Sequence, residues 1–185
     1  MIRCLWSTKN AQLMQYHDLE WGIPVLESKK LFECFALEIF QAGLNWSTVL
    51  KRREDLRNTL SSFDPFCLCE YSDTEIQQVI ADSAVIRNPR KIHAVFHNAN
   101  VVAQLPTTFS DYMWHFVDFE PIRCPSTFMN SEEAQMLLAK RVVRQMKQDG
   151  FVFVGPKNIY AFLQAAGLIN DHEVSCFRYH DLAIL

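Results

Sequence analysis

A chain of 185 residues, 49% hydrophobic and 21% charged, is long enough to bury one core and too apolar to stay disordered. A formal net charge of −3 excludes a uniformly basic nucleic-acid-coating protein, so any grip on a polyanion must come from local patches. The apolar runs are too short to span a bilayer, and Met1-Ile2-Arg3-Cys4-Leu5-Trp6 carries no apolar leader. The expectation is a single cytoplasmic domain, 1–185, with its six cysteines (4, 34, 67, 69, 124 and 176) reduced and, by default, buried as small apolar residues.

Helical periodicity dominates the chain. Over 29–42, Leu31, Phe32, Phe35 and Ile39 recur at helical spacing, with Ser28 as an expected N-cap and Gly43 as the stop. Trp46, Val49 and Leu50 open a second helix that runs into Lys51-Arg52-Arg53. Ile76, Val79 and Ile80 mark a helix over 73–82. Asn88 and Pro89 then read as cap and first residue of a helix striped by Ile92, Val95, Phe96, Ala99 and Val102. Residues 131–148 form the clearest amphipathic helix, with Leu138, Val142 and Met146 on one face and Lys140, Arg144 and Lys147 on another. Ile159, Phe162, Leu163 and Ala166 mark a further helix ending before Gly167, and a short helix is expected from Asp171. Residues 151–154 are the one expected extended piece. The fold class is all-α.

Four constellations carry candidate chemistry. His172 and Cys176 stand four apart, the spacing that shares one face of a helix, and Cys4 and His17 complete a Cys₂His₂ donor set if the termini meet. Spacing alone leaves open a second reading, two buried cysteines and two ordinary histidines. Glu38 lies three residues after Phe35 and seven after Leu31, on or beside the buried face of its helix. There a carboxylate needs a partner or is held toward its neutral form; an edge glutamate paired with an arginine is the alternative. The four tryptophans, Trp6, Trp21, Trp46 and Trp114, with Tyr16, offer flat rings that could sandwich a flat ligand such as a nucleobase, an electron-poor or cationic one above all, or simply fill core. The stretch 83–91 reads as a hairpin between two helices. The free N–H groups at the second helix start, with Arg87, Arg90 and Lys91, make an anion site suited to a DNA phosphate, or else a solvated helix start.

Taken in order, several segments resemble the bacterial 3-methyladenine DNA glycosylase I family. They are Arg3-Cys4-Leu5-Trp6, Tyr16-His17-Asp18-Leu19-Glu20-Trp21-Gly22-Ile23-Pro24, Leu37-Glu38-Ile39-Phe40-Gln41-Ala42-Gly43-Leu44-Asn45-Trp46, Ile86-Arg87 with Lys91-Ile92, and Asn170-Asp171-His172 leading to Cys176. The resemblance implies the helical helix–hairpin–helix glycosylase architecture, with segments 1–20 and 168–185 joined at one structural Zn²⁺ held by Cys4, His17, His172 and Cys176. The helical core would span 28–166. It further implies that Glu38 recognises an extruded alkylated adenine, that Tyr16, Trp21 and Trp46 line the pocket with Trp6 nearby, and that the partner is double-stranded DNA bound by a monomer. The chain departs from the family pattern at Leu13, where a pocket tyrosine is common, at Ile39, at Asn45, and in a hairpin without glycine. No lysine–aspartate arrangement for a Schiff-base step is visible, so the expected reaction is simple hydrolysis. The competing expectation is a weak or inactive member of the same fold that binds damage without excising it.

Overall fold

The computed structural model describes residues 1–123 and 132–182. Among them are ten α-helices: α1 (Ala11–Leu19), α2 (Ser28–Gln41), α3 (Trp46–Thr59), α4 (Pro65–Leu68), α5 (Asp73–Ala81), α6 (Pro89–Ala103), α7 (Phe109–Trp114), α8 (Glu132–Gln148), α9 (Pro156–Ala165) and α10 (Phe177–Asp181). No described helix is long and apolar enough to cross a membrane. Cys124, residue 131 of the expected amphipathic helix and residues 183–185 lie outside the described residues.

The helix α2 is the centre of the core. Leu31, Phe32, Phe35, Ala36, Ile39 and Phe40 are completely enclosed, and α3, α6, α7 and α9 all pack on this helix. Phe35 alone meets the rings of Phe109, Phe151 and Phe162 at centroid distances of 6.1, 6.0 and 5.5 Å. Each such ring buried contributes about 1.5–3 kcal/mol of transfer free energy, so aromatic contact fixes how these helices stack. The α8 face carrying Val142 and Met146 is buried while Lys140, Arg144 and Lys147 stay in solvent, as the periodicity requires.

Local chemistry sets most helix starts. The Asn88 side chain accepts from Lys91 N, with Pro89 at the first helical position, as expected. Asn10 caps α1 by accepting from Leu13 N at 2.9 Å. Ser28 is not a cap: Glu27 holds that position with no side-chain bond, and the Ser28 hydroxyl instead accepts from Ser110 N at 3.0 Å. The tertiary partner displaced the local one.

Three other expectations are corrected. Residues 151–154 form no strand; they bend back, with Phe153 at φ 60°, because the Asn98 side chain holds both polar groups of Val152. A two-residue parallel pair occurs instead between β1 (Ile122–Arg123) and β2 (Ile169–Asn170), too short to leave a period in the sequence. The helix expected from Asp171 begins only at Phe177. Cysteines also vary: Cys4 and Cys176 are buried, whereas Cys34 is half-buried and Cys67 exposed.

The chain ends are stitched together. Phe177 N donates to Ile2 O at 3.0 Å, Leu5 N to the Glu173 carboxylate at 2.8 Å, and Arg178 Nε to Asp18 O at 2.7 Å. The segment after α1 lies against the end of α9, where Gly22 N meets Ala165 O and Val25 N meets Ala166 O. Two glycines permit this closeness. A Cβ on Gly22 would stand 2.7 Å from His172 Nε2, and one on Gly167 would stand 2.5 Å from the Ile23 carbonyl carbon, with both residues at positive φ. Gly167→Ala is therefore expected to lower stability by more than about 1 kcal/mol, since backbone strain and a backbone clash act together. Urea unfolding of the two proteins measures it, and an unchanged midpoint would refute the account.

Candidate active site and metal cluster

The N-terminal segment, α1, α2, α3 and α9 enclose a small cavity of about 160 Å³ lined by Trp6, Tyr16, Trp21, Glu38, Gln41, Trp46, Ala161 and Gln164. All five residues that the sequence assigned to base recognition are on its wall. Gln41, Ala161 and Gln164 were not anticipated. Gln41 follows Glu38 by three residues, one helical step along the same face, which was the available signal.

Glu38 has 4% of its surface exposed, and among the described residues its Oε2 has no hydrogen-bond partner. Burial pushes its carboxyl up to about 8. Trp46 Nε1 is likewise enclosed and unpartnered. A buried donor and a buried acceptor left open on one cavity wall are costly in the free protein. They become favourable when a polar ring enters. The aromatic walls meet closely: Trp6 to Trp21 at 5.1 Å and Tyr16 to Trp46 at 5.2 Å between centroids. Gln164 donates its amide N–H to Asp171 Oδ2, which also accepts from Tyr160.

The departures from the family pattern fall unevenly. Leu13 packs in the small apolar cluster with Tyr16 and Leu50 and is not on the cavity wall. Ile39 belongs to the main core, and Asn45 sits exposed before α3.

Behind the aromatic wall, Cys4, His17, His172 and Cys176 are all buried, and one donor atom from each lies within 4.8 Å of the others. Cys4 Sγ stands 3.5 Å from His172 Nδ1, and Cys176 Sγ 3.6 Å from His172 Nδ1 and 3.4 Å from His17 Nε2. The outer ring nitrogens are engaged elsewhere: His17 Nδ1 with Asp18 at 2.9 Å, and His172 Nε2 with Trp21 O at 3.2 Å. Arg3 in turn holds Asp18 at 2.8 Å. With protons on those outer nitrogens, lone pairs are left facing the centre. Burial, then the neighbouring His17, pulls His172 down to about 4, so it is a neutral imidazole. Burial pushes the Cys4 thiol up to about 12, so a thiolate there needs a cation beside it. This set can hold a metal ion. His172 and Cys176 meet through a turn, with Cys176 N bonded to Glu173 O at 2.7 Å, and not on one helix face as the spacing implied.

The basic residues divide. Arg87 and Arg90 are exposed in and just after the connection from α5 to α6. Lys91 is corrected: it is 5% exposed, and its ammonium donates to Phe40 O at 2.8 Å and Ala42 O at 2.6 Å. It ties down the end of α2, where Gln41 O accepts locally from Leu44 N at 2.6 Å and the carbonyls on either side, Phe40 and Ala42, are taken by Lys91. It therefore has no free reach to a phosphate. Arg53 is similarly committed, to Glu20 at 3.0 Å.

A mostly helical frame with a small aromatic cavity, a desolvated carboxylate and a clasped pair of termini defines a protein built to take up one small flat polar ring. The chain belongs to the methyladenine glycosylase family, whose pattern it matches over residues 6–179. It is 37% identical over 182 residues to DNA-3-methyladenine glycosylase 1 of Escherichia coli (strain K12), with 97% of each chain covered. A crystal structure of 3-methyladenine DNA glycosylase I shares 36% identity with a TM-score of 0.87, covering 95% of this chain and 98% of the other. A variant of 3-methyladenine DNA glycosylase I crystallised with 3-methyladenine shares 29% identity with a TM-score of 0.83, covering 96% and 97%.

The raised carboxyl has a consequence for stability. A group bound more tightly to its proton in the folded state stabilises below its unfolded value and loses that contribution as pH rises through the folded one. For Glu38 the window runs from pH 4.5 to about 8. Glu38→Gln is expected to melt progressively higher than the parent protein as pH rises across that window. Parallel thermal scans that keep a constant offset would contradict the desolvated carboxyl.

Proposed function

We propose that this protein is a monofunctional DNA glycosylase that excises 3-methyladenine from alkylated DNA. The observation that carries the reading is Glu38, a buried carboxylate with an open acceptor on the wall of an aromatic cavity. Family membership over nearly the whole chain supports the same activity. The reading includes a cytoplasmic monomer acting on double-stranded DNA, with the damaged nucleotide turned out of the stack.

Methylation at N3 leaves the adenine cationic and already a good leaving group. Tyr16, Trp46, Trp21 and Trp6 stack around the ring, and their negative faces favour its charge. Glu38 accepts hydrogen bonds from the base and, once opposite a cation, ionises more readily. Water attacks the sugar carbon as the bond from that carbon to the base nitrogen breaks; the base leaves as neutral 3-methyladenine, and the proton of the attacking water passes to solvent. The reading is simple hydrolysis with no Schiff-base step.

The helix–hairpin–helix role falls to basic loops near the end of α2. The connection 82–88 carries Arg87 and leads to Arg90. The loop between α8 and α9 is flanked by exposed Lys147 and Lys157, and with Ala42 it shares a groove. We assign DNA phosphates to these loops, which lets an acidic protein hold a polyanion locally.

The metal is read as one structural Zn²⁺. Zinc bonds of about 2.3 Å to sulfur and about 2.0–2.1 Å to nitrogen, at tetrahedral angles, place S and N about 3.5 Å apart. Three of the four sulfur–nitrogen pairs, at 3.4–3.6 Å, have this separation, and all four donors lie within 4.8 Å of one another. Four protein ligands leave no position for a reacting water, so the ion supplies cohesion between the chain ends.

Two measurements test the reading. Incubation with methylated DNA should release 3-methyladenine, and Glu38→Gln should lower release at least tenfold while DNA binding persists. Binding without release by the parent protein would favour the damage-sensor alternative. Freshly purified protein should contain one zinc per chain, and its removal by a chelator should lower the melting temperature; protein free of zinc would refute the metal assignment.

A further inference from the structure

The pair Gln164 and Asp171 has no part in the mechanism above, yet Gln164 stands on the wall of the base cavity. Tyr160 and Gln164 are one helical turn apart on α9, and both donate to the same Asp171 oxygen, Tyr160 at 3.1 Å. A carboxylate only accepts, so its neighbour must be the amide nitrogen of Gln164. That contact turns the Gln164 amide in one direction. Its Oε1 has no hydrogen-bond partner among the described residues and is not sealed off in the way that Glu38 Oε2 is. The open space that Gln164 borders is the cavity.

The cavity wall carries two fully buried polar atoms without a partner among the described residues, the acceptor Glu38 Oε2 and the donor Trp46 Nε1. Of the two amides on the wall, Gln41 and Gln164, it is Gln164 whose direction a hydrogen bond sets. A purine distinguishes itself at position 6. Adenine presents an amino group with two hydrogens there, whereas guanine and hypoxanthine present a carbonyl oxygen. An amide oxygen held in place suits the first and sets oxygen against oxygen for the others.

We propose that Gln164 is a specificity-determining residue of the base site. Its amide oxygen, held toward the cavity by Asp171, accepts from the exocyclic amino group of a 6-aminopurine and disfavours 6-oxopurines. The inference rests on the reading of the cavity as the base site. It gives the otherwise idle Asp171 a task, which is to forbid the amide flip that would present a donor to the wrong base. Acceptors placed against a missing donor discriminate far better than apolar shape does.

The test compares free 3-methyladenine with free 3-methylhypoxanthine, which differ at position 6, by tryptophan fluorescence titration of the intact zinc-loaded protein. Gln164→Met keeps length and helix propensity while removing the acceptor. The parent protein is expected to prefer 3-methyladenine, and Gln164→Met to reduce that preference roughly three- to tenfold, the range of one hydrogen bond. A purely structural role would weaken both bases alike and leave the ratio untouched. On methylated DNA, the ratio of released 3-methyladenine to 3-methylguanine should fall in the same direction. If Gln164→Met retains the parent's preference, the inference is overturned while the base site stands. If the parent binds neither base, both are overturned.

Discussion

Closure of the two chain ends on each other is the constraint from which the site follows. Trp6, Tyr16 and Trp21 belong to a short N-terminal segment that could not, by itself, bury enough surface to hold a fixed position. Cys4 and His17 bring that segment to His172 and Cys176, and the same histidines pack against the pocket rings: His17 lies 5.5 Å from Trp6, and His172 lies 4.5 Å from Trp21. Ring position and donor position are therefore one geometric problem. The glycine at 22 exists because His172 occupies the space a side chain would need.

The second constraint is electrostatic. Between Leu31 and Phe40 the helix α2 carries two carboxylates: Glu33, paired with Arg57 at 2.7 Å, and Glu38, which enters the core face with no charged partner among the described residues. The surrounding structure supports rather than neutralises it. Lys91 takes up the carbonyls of Phe40 and Ala42 at the end of the helix, and burial alone governs the carboxyl's proton affinity. Among the described residues no group satisfies the Glu38 Oε2 acceptor, a cost tolerated at sites of function. The candidate metal cluster and the cavity are separate: Cys4, His17, His172 and Cys176 lie behind the aromatic wall, while Glu38, Gln164 and the rings line the cavity.

Helices with a long apolar period were legible in the sequence because periodicity is a local property: α2, α6, α8 and α9 lie close to where the pattern put them. Elements of two to six residues were not, since β1, β2 and α7 exist only by packing against distant chain. Misplaced details have the same origin. Ser28 has the chemistry of a cap, but the backbone of Ser110 claimed its hydroxyl. Lys91 reads as one cation in a basic run, but the carbonyls of Phe40 and Ala42 at the end of α2 take up its ammonium and draw it inside.

By itself the sequence determined the helical class, the identity of Glu38 and the four aromatic residues, and the Cys₂His₂ donors, because an ordered series of segments carries them along the chain. It could not determine what those residues face. The separation of sulfur and nitrogen at the cluster, the burial of Lys91, and the direction of the Gln164 amide are set by contacts across 51 or more residues, or between helix and loop. A side chain's type is written locally, whereas its desolvation and hydrogen-bond partner are properties of the packed chain, and these leave Glu38 buried with an open acceptor and hold the Gln164 amide against Asp171.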